Sequence, residues 1–105
     1  MTIEALSAGA QDIVRLALTF IATTQHLDGE FETRMGVGRG VVAEMLMRWP
    51  RVDDGADDSP VAIAINNALN EVVNGLALSA ADWQRLGASR VDVQAAYAEW
   101  VTMRG

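Results

Sequence analysis

The chain has 105 residues with 50% hydrophobic and 21% charged side chains, and eight basic against fourteen acidic groups give a net charge of -6. That length fits one domain spanning 1–105, and the aliphatic content is too high for a chain that stays unfolded. Cys and Lys are both absent, which excludes disulfide scaffolds, thiol chemistry, Schiff-base chemistry and a P-loop lysine.

No apolar run approaches the ~20 residues needed to cross a bilayer. The first residues, Met1 to Glu4, lack the positive n-region of a signal peptide, so the cytoplasm is the expected location.

From Ala10 to Thr24 the apolar residues Ile13, Val14, Leu16, Ala17, Leu18, Phe20 and Ile21 leave Gln11, Asp12, Arg15, Thr19 and Thr23 only about a third of a helical circumference. So wide an arc belongs to a helix that is central or shared with a second subunit. Asp28 is placed to cap a short second helix through Phe31 to Met35, with Gly36 as its left-handed stop. A third helix runs from about Gly38 to Trp49, where Pro50 ends it.

The acidic loop from Arg51 to Ser59 follows. Asp58 or Ser59 caps the fourth helix, whose first turn suits Pro60 and whose stop is Gly75. Val61, Ile65, Ala68, Leu69 and Val72 point inward along it. Ser79 caps a short fifth helix ending before Gly87, and Ser89 opens a sixth that reaches about Met103. No segment alternates with period two between hairpin turns, so the predicted fold is all-α with six helices.

Sliding the chain against itself by 51 residues aligns Leu27 with Leu78, Arg34 with Arg85, Gly36 with Gly87, Arg39 with Arg90, Val42 with Val93 and Trp49 with Trp100. The first and fourth helices share that frame, while Phe31 and Trp83 miss it by one position. The pattern predicts two pseudo-repeated three-helix units, at approximately 8–50 and 59–103. Each is a long helix, a short helix, a tight turn and a helix.

The short helix, glycine-containing turn and helix at Asp28–Trp49 and Ser79–Trp100 resemble the helix-turn-helix of DNA-binding proteins in their spacing. That resemblance implies a DNA-binding regulator, but the charges argue against it. Four Arg meet four carboxylates between Asp28 and Arg51, and three meet three between Ser79 and Arg104. Neither unit has the basic excess that phosphate binding requires.

Gly36-Val-Gly-Arg-Gly40 lacks the preceding strand of a dinucleotide fingerprint and reads as a helix stop and turn. Asp53, Asp54, Asp57 and Asp58 do not have EF-hand spacing and read as a solvated loop. No metal and no cofactor is expected.

The fourth helix carries Asn66, Asn67, Asn70, Glu71 and Asn74 on one side around Ile63. Asn is a poor helix former, so this concentration marks a candidate interaction surface. Arg39 and Arg90 recur at one place in the two units and, with the single histidine His26, are candidate contacts for an anion or ligand. Trp49, Trp83 and Trp100 lie at inward spacing and read as core. One histidine supports no multi-histidine metal centre, and no nucleophile is placed beside it by spacing, so no catalytic residue is assigned.

The expectation is a small acidic, non-enzymatic interaction or regulatory module. It would be a homodimer because of its first helix and would suit a partner with a basic patch. The alternatives are the helix-turn-helix regulator, and a ligand-binding protein or enzyme with a pocket between the repeats.

Overall fold

In the computed structural model, which describes residues 3–52 and 58–104, the helix α1 (Ala8–Thr23) occupies the middle of the fold. The described residues form five further α-helices: α2 (Phe31–Met35), α3 (Arg39–Arg48), α4 (Pro60–Asn70), α5 (Ala80–Leu86) and α6 (Arg90–Arg104). No strand occurs among the described residues. A 3₁₀ turn at Ile3–Ala5 precedes α1, and a π turn at Glu71–Gly75 extends α4. The radius of gyration is 12.4 Å, close to the ~13 Å expected of a folded chain of about this length.

The breadth of α1's apolar arc leaves two ways to cover it, and the structure takes the central one. Val14, Ala17, Leu18 and Ile21 are fully buried, and α3, α4, α5 and α6 all pack against α1. The arc is thus covered within the chain and does not itself require a second subunit. Ser7 fixes the start of α1 twice over. Its hydroxyl accepts the Ala10 amide, and its own amide donates to the Glu99 carboxylate of α6 at 2.7 Å.

Ser59, rather than Asp58, caps α4 by accepting the Ala62 amide, with Pro60 in the first turn. The helix does not run regularly to Asn74. It widens after Asn70, with the Leu76 amide donating to the Glu71 carbonyl five residues back. The wider turn brings three successive residues, Glu71, Val72 and Val73, into the interior.

Two further expectations are corrected, and one is exceeded. Asp28 does not cap α2, whose N-cap position is Glu30. Its carboxylate instead accepts a hydrogen bond from Arg39 at 3.0 Å. Of the three tryptophans only Trp100 is fully inside, 2% exposed, while Trp49 and Trp83 lie half-buried against the edge of the core. At α5 the cap is stronger than expected, because Asp82 returns a hydrogen bond to the Ser79 amide and completes a capping box. Gly36 and Gly87 stop α2 and α5 in the left-handed conformation that glycine adopts most readily, at φ +75° and +92°.

The short helices cross over. α2 packs against α4 and α5 packs against α1, so each long helix receives the short helix of the other half.

Candidate functional site

The asparagine side of α4 divides into two parts. Its inner part holds α2. Asn67 donates its side-chain amide to the Met35 carbonyl at 2.8 Å, where α2 ends. Ile63 packs so closely there that a Cβ on Gly36 would lie 2.8 Å from it. Glu71 is not on a solvated face: it is buried, and both its carboxylate oxygens meet the Arg34 guanidinium, at 2.6 and 3.2 Å. Arg34 also donates to the Gly75 carbonyl, and a Cβ on Gly75 would overlap the Glu71 carboxylate. The outer part remains at the surface. Asn66 and Asn74 are exposed and Asn70 half-buried, with Asn74 donating to Asn70 at 3.1 Å.

The two equivalent arginines do different things. Arg39 donates to the Ala22 and Thr24 carbonyls at the end of α1 and to Asp28, and its guanidinium lies 4.5 Å from the centre of the Phe31 ring. It closes α1's C-terminal carbonyls and is engaged internally. Arg90 is exposed at the start of α6, and no described residue pairs with it.

His26 sits beside Asp82, Nε2 to Oδ2 3.1 Å, with its ring tilted over Phe20. Asp82 gathers the Ser79 amide, His26 and Arg85 around one carboxylate. The Ser79 backbone N–H holds the Asp82 carboxyl below its ordinary range, against the opposing effect of burial, and the Ser79 hydroxyl and His26 add to the lowering.

A group whose carboxyl is lowered in the folded state stabilises the fold above its unfolded value, and that stability is lost as pH falls through the folded one. Asp82→Asn is therefore expected to unfold at lower urea than the parent at neutral pH. The gap should close as pH drops below about 4, the ordinary carboxyl value. A gap that stayed constant down to low pH would show that the charge on Asp82 is not what matters.

Among the described residues no group of three or more His, Asp or Glu is arranged to hold a metal ion. Asp53, Asp54 and Asp57 of the acidic loop lie outside the described residues, and Asp58 is exposed. No described helix is long and apolar enough to cross a membrane.

Two surfaces stand out that the sequence reading passed over. On α6, Val93, Ala96 and Trp100 face inward. The opposite side presents Val91, Gln94, Ala95, Ala98, Val101 and Thr102, all exposed and all uncharged. Val91 and Val101 are 72% and 53% exposed, and a shallow groove crosses this face beside Tyr97. The signal was present in the helical spacing of 91, 95, 98 and 102.

The second surface is the corner at the end of α3, where Met47, one residue before the last residue of the helix, is 88% exposed. A groove opens there toward the start of α4. Its local signal is Arg48-Trp49-Pro50-Arg51, two cations set around a helix stop. Compared with known proteins, the chain matches no family model, no curated sequence and no solved structure.

Proposed function

We propose that the chain is a non-enzymatic protein-interaction module that pairs with a second copy through the outer face of α6. The observation that carries this reading is the uncharged face from Val91 to Thr102 with two exposed valines. Exposed apolar side chains that share one uncharged face mark a contact site more often than ones scattered among charges do. Ala95 and Ala98 near the middle of the face allow two helices to approach closely. One helix face is smaller than the ~1,200–2,000 Å² of a standard interface, so the dimer is a concentration-dependent one.

The outer asparagines Asn66, Asn70 and Asn74 then form a hydrogen-bonding ridge for a second partner. A net charge of -6 suits one with a basic patch. The exposed positions of the two turn-flanking helices speak for this reading over a duplex-binding one. On α3 Arg48 is paired with Glu44, and on α6 Arg90 is followed by Asp92, so neither helix offers a basic stripe.

The same reading takes 8–50 and 59–103 as two related units about a pseudo-two-fold axis. Its support is a set of contacts that repeat with the 51-residue offset. Gly36 lies against Asn67, and Gly87 lies against Leu16. Arg34 pairs with Glu71, and Arg85 lies over the Phe20 ring at 5.6 Å.

The test is mass by light scattering after size exclusion over a range of concentrations. The parent chain is expected to approach twice the chain mass as it is concentrated, and Ala98→Glu, on the exposed face, to remain at the chain mass. A parent chain that stays monomeric at the highest concentration removes the dimer from the proposal.

A further inference from the structure

The groove between the end of α3 and the start of α4 shares no residue with the α6 face or the asparagine ridge. The chain builds it by folding back after α3. The Arg51 amide donates to the Arg48 carbonyl at 2.8 Å and the Val52 amide to the Pro50 carbonyl at 3.0 Å. Val52 is thereby carried into the core while Arg51 stays outside. The groove has a volume of about 220 Å³, with Val41, Met45, Val52 and Val61 as its apolar floor and Arg48 and Arg51 at its edge.

Glu44 engages Arg48 at 3.0 Å. Among the described residues no carboxylate or carbonyl engages the Arg51 side chain. Among the described residues lining the groove, two guanidinium groups thus stand against the one carboxylate of Glu44.

We propose that this groove binds a small monocarboxylate with an apolar body, its tail on the valine and methionine floor and its carboxylate on Arg51. A guanidinium presents a planar fork of donors that matches the two oxygens of a carboxylate. At about 30 Å³ for each water-sized group, 220 Å³ accommodates about seven of them. That is the tail of a medium-chain acid. A neutral alcohol of the same length would cover the floor but form no ion pair with Arg51, and inorganic phosphate would meet Arg51 but leave the floor wet. The site goes beyond the interaction reading and stands or falls separately from it.

Octanoate added to the full chain tests the site, followed by NMR of the methionine methyl groups. The Met45 methyl is expected to shift with saturation and a Kd on the order of millimolar, while the buried Met35 methyl, away from the groove, stays in place. Arg51→Gln should weaken binding about tenfold, and octan-1-ol should bind the parent about tenfold more weakly than octanoate. Glu44→Gln, which releases Arg48, should strengthen it about twofold. Both side chains are exposed, so neither variant disturbs the core. The proposal is overturned by a Met45 signal that does not saturate by about 20 mM, a concentration well above a millimolar Kd. It is equally overturned by octan-1-ol binding as well as octanoate, or by Arg51→Gln binding like the parent.

Discussion

Arg34→Ala is expected to destabilise the chain by about 3 kcal/mol, far more than the loss of an ordinary surface arginine. The reason lies at the other end of the pair. Glu71 is carried into the interior by the π turn, with only 8% of its surface exposed, and its compensating cation is Arg34. Without the guanidinium the carboxylate must be buried unpaired, be protonated, or pull the turn open toward water, and each costs free energy. The figure sits at the lower end of the range for buried pairs because the Arg34 side chain keeps 29% of its surface. Glu71→Gln removes the charge that needs compensating, so Arg34→Ala should cost distinctly less in that background. Urea denaturation of the four proteins measures this difference directly. Equal losses in both backgrounds would mean that the carboxylate does not depend on Arg34.

Trp100→Ala should be costlier still, about 3–5 kcal/mol, the range for deleting a large buried aromatic. Trp100 is 2% exposed and belongs to the inner face of α6 with Val93 and Ala96, and that helix packs on both α1 and α4. Removing the indole leaves a void that none of three helices can close alone. Domains of this size have only about 5–15 kcal/mol in total, so the variant should lose much of its cooperative unfolding transition in urea. Trp49→Ala, at a half-buried position, serves as the comparison and should lose clearly less. A Trp100 variant as stable as the Trp49 variant would contradict the inward orientation of α6.

The helix ends were legible in the sequence because their causes are local. Ser59 with Pro60, Ser79, Ser89 and the left-handed Gly36 and Gly87 each act within a few residues of themselves. What stayed hidden depends on partners far along the chain. Nothing near Glu71 announces that Arg34, 37 positions away, will draw it inside. Asp28 is a good capping residue by type, yet Arg39 claims its carboxylate from the start of α3. The asparagines of α4 were visible as a face. That Asn67 ends α2 while Asn66 and Asn74 stay at the surface required knowing where α2 docks. The outer face of α6 was readable in its spacing, but uncharged exposed positions carry no local mark of being uncovered. The groove floor was invisible because Val52 and Val61 come to line it together only once the chain has folded back.

The pairing of the first long helix with the last one also sets a timetable for the newly made chain. Ser7 is joined to Glu99 across 92 positions, and α1 is covered by α4 and α6. While the ribosome is still adding residues, the first half offers α1 the cover of α3, and the sides that α4, α5 and α6 cover stay open. The apolar side chains on those sides must wait, wet or in the care of a chaperone, until α6 has emerged. Folding of these helices is therefore gated by the arrival of α6 rather than built up turn by turn. A stalled or truncated product lacking α6 would expose the apolar sides of α1 and α4 that α6 covers and be prone to aggregate or be degraded.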